Sequence, residues 1–154
     1  DLSFVVLANF NKVDKLDPES FALWMQIMRR VPRAVLWLLN PSAIDSENEV
    51  ICTRLGDEAE AHGVQRQRIV FGKRVPKSEH LLRHAAADLF LDTLIYGAHS
   101  TATDALAGGL PFLTLAGGAF ASRVGVSLLR NAGPYQTLLL VASRREYEDL
   151  TVRL

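Results

Sequence analysis

"RIVFGKRVPKSEHLLRHAAADLFLDT", Arg68 to Thr93, decides the fold. It opens on the apolar run "RIVFG" and closes on a second, "DLFLDT", both of strand length. Between them "PKSEHLLRHAA" reads as a short helix. Strand, helix, strand in so short a span is the unit from which a parallel sheet is built, because parallel neighbours need a crossover.

The same alternation continues in both directions. Upstream, "SFVVLAN" (Ser3 to Asn9) is a first strand, and "DPESFALWMQIMRRVP" follows as a helix. Asp17 suits its N-cap and Pro18 its first position, where the missing N–H costs nothing. Phe21, Trp24, Met25 and Met28 fall on one face, Arg29 and Arg30 suit the negative end of the dipole, and Pro32 stops the helix. Ala34 to Leu39 is a second strand, and a helix from about Ser46 to His62 ends at Gly63. Downstream come a helix in "TATDALAGG", a fifth strand in "PFLTLAG", a helix "AFASRVGVSLLRNAG" ending at Gly133, a last strand in "TLLLVAS", and a final helix in "SRREYEDLTVRL". Continuous apolar strands in such an order predict an α/β fold: a Rossmann-like, doubly wound parallel sheet of about six strands, covered on both faces. Trp24 and Trp37 lie in apolar periodic runs and read as core, Cys52 as a helix residue without redox function, and His62 as a residue near a helix C-terminus.

The chain of 154 residues suits one domain, and 49% hydrophobic content is enough for a full core. Its 17 Lys and Arg balance 17 Asp and Glu, which argues against a nucleic-acid partner attracted by bulk charge. No apolar run is long enough to span a bilayer. The single cysteine, Cys52, excludes an intrachain disulfide and is compatible with a reducing, intracellular, cytoplasmic setting. The chain begins at Asp1 and enters a strand almost at once, which reads as a piece of a longer protein.

In doubly wound sheets, ligands bind beyond the carboxyl ends of the strands where the strand order reverses, here between the first and fourth strands. The loops expected there are "FNKVDK" (Phe10 to Lys15) and "LIYGAHSTATD" (Leu94 to Asp104), with "KRVPKSEH" entering from the third strand. From Arg68 to His84 five cations (Arg68, Lys73, Arg74, Lys77, Arg83) face one acid, Glu79, and Lys12 and Lys15 add to the first loop. That sign suits an anion. "GAHSTATD" offers a helix N-terminus, the hydroxyls of Ser100, Thr101 and Thr103, and a close backbone approach at Gly97. It reads equally as a polar cap, since Thr101-x-x-Asp104 approaches a capping box. Lys77, His80, Arg83 and His84 share one broad polar helix face, with Leu81, Leu82 and Ala85 pointing elsewhere; the plain alternative is a solvated charged face. No zinc spacing, GxGxxG, Walker loop or GxSxG elbow is present, so no metal, NAD or FAD is implied. A mononucleotide or nucleotide-sugar site fits better.

With these loops placed, the chain resembles the C-terminal catalytic half of the protein O-GlcNAc transferase family and its relatives, the Spindly-type protein O-fucosyltransferases. The segments carrying the resemblance run in order: "FNKVDKLDPESFALWMQIMRRVPRAVLWLL", "RIVFGKRVPKSEHLLRHAAADLFLDT", "GAHSTATDALAGGLPFLTLAGGAFASRVGVSLL" and "REYEDLTVRL". The resemblance implies the nucleotide-binding half of a GT-B glycosyltransferase. Its donor would be UDP-GlcNAc, the acceptor Ser or Thr of a protein, and no cofactor would be needed. It further implies an N-terminal catalytic half and tetratricopeptide repeats in the parent chain, so the piece alone would not turn over. Lys15, in the FNxxxK pattern with Asn11, would contact the diphosphate and stabilise the departing nucleotide as the catalytic cation. Lys77, His80 and Arg83 would hold base and ribose, His80 by stacking, while the Val75 backbone reads the base edge. His99, Ser100 and Thr101 would bind the diphosphate, and Asp104 the ribose. Ser100 in place of threonine, "LIY" at Leu94 to Tyr96, Ala107 in place of tryptophan, and "GGAF" before Ala121 depart from the family pattern toward the sugar and acceptor side. A GDP-fucose-dependent transferase, a same-fold transferase with a non-protein acceptor, and a non-catalytic nucleotide-binding module are the alternatives.

Overall fold

In the computed structural model, residues 4–154 are described, and the predicted alternation folds as an all-parallel sheet. The strands are β1 Val5–Asn9, β2 Ala34–Leu39, β3 Ile69–Gly72, β4 Leu89–Leu91, β5 Phe112–Leu115 and β6 Leu140–Val141. Their order is β3-β2-β1-β4-β5-β6, with every pairing parallel. Ser3, the expected start of the first strand, lies outside the described residues. The helices are α1 Pro18–Arg30, α2 Asp45–Ala61, α3 Lys77–Arg83, α4 Ser100–Ala107, α5 Val124–Ala132 and α6 Arg144–Arg153. None of them is long and apolar enough to cross a membrane.

Each strand presents alternate residues to two apolar layers, as its period of two requires. On one face Leu7, Leu36, Leu89, Leu91 and Leu113 meet Trp24, Met25, Ile27 and Met28 of α1 and Tyr147 of α6. On the other, Ala8, Phe90 and Phe112 meet Ala102 and Ala105 of α4 and Leu129 of α5. The small side chains of α4 let that helix lie close to the sheet, and this brings its N-terminus to the sheet's upper edge.

Helix α1 begins as its sequence dictates. Asp17 is the N-cap, Oδ1 accepting from Ser20 N (2.8 Å), with Pro18 in the first position. Helix α2 ends at His62 with Gly63 at φ 77°. Two elements are shorter than their sequence suggests. The run expected as one helix from Ala119 divides at Arg123, with a 3-10 turn at Phe120–Ser122 before α5. Ser122 Oγ donates to Ala119 O (2.9 Å), tightening that turn, and the ring of Phe112 sits 2.8 Å from where a Gly125 Cβ would stand. The last strand contracts to Leu140–Val141, paired with Thr114 and Leu115, and Gln136–Leu139 before it coils as a 3-10 turn. Trp24 is fully buried, as its periodicity requires, whereas Trp37 is half-buried and packs toward the upper edge of the sheet.

Candidate functional site

The strand order reverses between β1 and β4, and the loops leaving these two strands face each other. Asn9 ends β1 by donating from Nδ2 to Leu91 O (2.7 Å) and accepting from Asn11 N at Oδ1 (3.0 Å). This turn buries Asn11, whose Nδ2 lies 3.5 Å from Thr93 Oγ1 and whose Oδ1 is buried with no partner in the structure. A 3-10 turn at Val13–Lys15 then aims Lys15 across the switch point. Its ammonium donates to Gly97 O (3.0 Å) and stands 4.1 Å from the centre of the Tyr96 ring. Partial burial lowers its pKa from the ordinary lysine value, with Asp92 acting in the opposite direction.

The loop after β4 is organised from below by Asp92, which is 1% exposed. Its Oδ1 accepts from Thr93 N (2.9 Å) and Ala98 N (2.7 Å), and its Oδ2 accepts from Thr114 Oγ1 (2.7 Å). Burial pushes its carboxyl up to about 7, the hydrogen bonds and Lys15 opposing the rise. Gly97 N donates to Ala121 O (3.0 Å), and so does His99 Nε2 (3.1 Å), which fixes the proton on that ring nitrogen. The His99 ring lies between Tyr96 and Phe120, 5.2 and 6.3 Å from their centres.

The capping-box reading of Thr101 and Asp104 does not hold. His99 is the N-cap, no side chain caps the helix, and Thr101 is already its second residue. The first bond of the ladder runs from Thr103 N to His99 O (3.2 Å), so the amides of Ser100, Thr101 and Ala102 precede it and have no acceptor within the helix, Thr101 lying on the cleft itself. Asp104, on the following turn, accepts instead from Lys77 Nζ across the α3–α4 contact.

Helix α3 also departs from a solvated charged face. His84 is wholly buried, its Nδ1 donating to His80 O (2.8 Å) and its ring 5.1 Å from Phe10. Leu82, by contrast, is 76% exposed. The mixed face of α3 packs inward because Phe10 and Trp37 offer it aromatic surface. The Arg83 guanidinium lies 5.9 Å from the Phe10 ring centre and 5.5 Å from that of Trp37, and donates to Lys73 O (2.8 Å). Arg83 therefore packs behind Phe10 and Trp37, outside the residues that line the cleft, and steadies the loop before α3. His80 is half-buried beside His84 and Phe10 (4.8 and 5.5 Å between ring centres), and burial lowers its pKa. Arg68 does not belong to the rim at all. It donates to Met28 O, Val31 O and Ala34 O at 2.7–2.8 Å, closing the C-terminal end of α1.

Phe10, Lys12, Leu39, Arg74, Val75, His80 and Thr101 line a cleft of about 230 Å³ above these groups. A larger groove, about 690 Å³, lies at the opposite ends of the strands between Phe4, Leu89, Pro111, Leu138 and Leu154. The polar, cationic cleft at the carboxyl ends is the candidate site, because hydrogen-bond donors converge there. Among the described residues no group of three or more His, Cys, Asp or Glu converges where a metal ion could be held. Sequence reading did not single out Asp92 or Tyr96 as parts of the site. An acid ending the apolar run "LFLD" is the signal that could have found the first.

A six-stranded Rossmann-like sheet with this cleft at its switch point defines a domain of the GT-B glycosyltransferase type. The profile of glycosyl transferase family 41 matches residues 3–154, and the chain belongs to that family. It is 39% identical over 150 residues to a probable UDP-N-acetylglucosamine–peptide N-acetylglucosaminyltransferase of Arabidopsis thaliana, covering 97% of this chain and 14% of that one. It is 34% identical over 151 residues to the UDP-N-acetylglucosamine–peptide N-acetylglucosaminyltransferase of Caenorhabditis elegans, covering 97% and 12%. An O-GlcNAc transferase mutant from Thermobaculum terrenum superposes with a TM-score of 0.88 at 31% identity, over 97% of this chain and 28% of that one. The chain thus spans a small part of the length of each of these relatives.

Proposed function

We propose that residues 1–154 form the nucleotide-sugar-binding unit of a glycosyltransferase that takes UDP-GlcNAc and passes GlcNAc to Ser or Thr of proteins. The observation that carries this reading is Lys15 facing the Gly97–Thr101 backbone across the switch point, 3.0 Å from Gly97 O. An ammonium and a row of open helix amides converge where a diphosphate would lie, and the names of the two curated relatives supply the donor and the acceptor class.

In this reading Lys15 is the catalytic cation. Glycosyl transfer builds negative charge on the departing diphosphate, and a preorganised ammonium stabilises that charge more in the transition state than before it. Ser100 and Thr101 donate hydroxyls and amides to the phosphates, and His99 frames the sugar end. Asn11 holds the turn that aims Lys15, through its amide on Asn9 Oδ1 and its side chain beside Thr93. His80 stacks on the base, the Val75 backbone reads its edge, and Arg83 holds the wall behind it. The Lys77–Asp104 pair borders the ribose, whose hydroxyl donates to the remaining Asp104 oxygen. The acceptor would be read by parts of the parent protein beyond this chain, so the chain alone should bind nucleotide without turning over.

Calorimetric titration with UDP, GDP and UDP-GlcNAc tests the proposal. UDP and UDP-GlcNAc should bind and GDP should bind more weakly. Tighter GDP would move the assignment to a GDP-fucose-dependent transferase, and no binding of any nucleoside diphosphate would overturn it.

A further inference from the structure

We infer that Asp92 is the positioning residue of this site: from beneath the cradle it fixes the loop Thr93–His99, and through the Gly97 carbonyl it sets where the Lys15 ammonium stands. The inference rests on the nucleotide-diphosphate reading above and gives that site its foundation.

Asp92 is held from several sides. Its amide donates to Leu113 O (3.0 Å) and its carbonyl accepts from Tyr147 Oη (2.9 Å), so β5 and α6 anchor its backbone. Thr114 Oγ1 anchors one carboxyl oxygen. The other oxygen gathers the amides of Thr93 and Ala98, the two ends of the loop, on one acceptor. The loop lies so close that a Cβ on Gly97 would stand 3.0 Å from Asp92 Oδ2 and 3.3 Å from Ala121 O, so no larger residue fits without moving it. Gly97 then turns its N–H to Ala121 O and its carbonyl to Lys15 Nζ. A displacement of the Asp92 carboxyl is passed to the Gly97 carbonyl and so to the cation on the other side of the switch point. Lys15 from the β1–α1 loop and Tyr147 from α6 are the titratable groups that act on it.

Asparagine can do most of this work. Its carbonyl oxygen can accept from both amides while the Thr114 hydroxyl rotates to accept from Nδ2. Alanine cannot, and it leaves two buried amides without an acceptor.

The test compares wild-type chain, Asp92→Ala, Asp92→Asn and Gly97→Ala against UDP, uridine and inorganic pyrophosphate, by calorimetry and NMR titration. Asp92→Ala should lose about tenfold or more in affinity for UDP and pyrophosphate while uridine stays within about twofold, because only the phosphate cradle moves. Asp92→Asn should restore UDP affinity to within about threefold of wild type. Gly97→Ala displaces the same loop from its other side and should repeat the phosphate-selective loss, which keeps the inference testable if Asp92→Ala does not fold. Equal losses for uridine and UDP, or wild-type affinity in Gly97→Ala and Asp92→Ala, overturn the positioning role. If the wild-type chain binds neither UDP nor pyrophosphate, the nucleotide reading falls and this inference falls with it.

Discussion

At the scale of single residues, Lys15 and His80 occupy opposite ends of the proposed nucleotide. Lys15→Ala and His80→Ala should each weaken UDP binding by about 1–3 kcal/mol, the range of a charge-assisted or stacking contact. Uridine separates them: the Lys15 variant should bind uridine as wild type does, and the His80 variant should not. An unchanged UDP affinity removes either assignment. Asp92 gives a pH signature. Its carboxyl titrates at about 7 in the fold against an ordinary 3.8. Between these values the folded chain keeps a proton that the unfolded chain has lost, so this group lowers stability as pH rises through the window. Asp92→Asn lacks that dependence. Relative to wild type it should gain roughly 3 kcal/mol between pH 4 and pH 7, since each tenfold change in proton affinity is worth about 1.4 kcal/mol and both ends of the window lie close to one of the two pKa values. Urea denaturation at both pH values measures the difference, and a difference that stays constant contradicts the assignment.

At the scale of elements, the start of α1 is tied to the site through Ser20. Its Oγ donates to Asp17 Oδ2 (2.6 Å) and accepts from Leu94 N (2.8 Å) in the loop after β4. Ser20→Ala should cost about 1–3 kcal/mol, because a buried amide loses its acceptor. Thermal unfolding will show it, and a change near zero would mean that Leu94 N finds another partner. Asp17 and Pro18 were legible as cap and first turn because capping is local chemistry. The inward face of α3 was not legible. Helical spacing grouped Lys77, His80, Arg83 and His84, but only aromatic surface brought from distant segments, Phe10 after β1 against His84 and Trp37 of β2 against Arg83, made the inward packing of this face favourable. The same holds for α4: Thr101-x-x-Asp104 has the spacing of a cap, yet the path of the preceding loop made His99 the N-cap and gave Asp104 to Lys77.

At the scale of the whole molecule, two apolar layers hold the switch point open between them. Phe90 is fully buried on β4 beneath the cradle, in contact with Phe10 and Phe112. Phe90→Ala should destabilise the fold by about 3–5 kcal/mol, read as a lowered denaturation midpoint with an unchanged slope. Much of this architecture was written in the sequence. Apolar runs of strand length, helical periods between them, and the caps Asp17, Gly63 and Gly133 fix which segments become strands and helices. That follows from steric and burial rules acting within a dozen residues. The alternation fixes a parallel sheet, and the ordered segments from Phe10 to Leu154 carry the family resemblance. Tertiary structure alone decided the partners: Arg68 at the end of α1 instead of the rim, Lys77 on Asp104, Lys15 on Gly97 and Tyr96, and Asp92 beneath them all. Those contacts join residues up to 82 positions apart, as Lys15 and Gly97 are. Which charge meets which carbonyl is settled by chain packing, because no local periodicity carries a distance between separate strands.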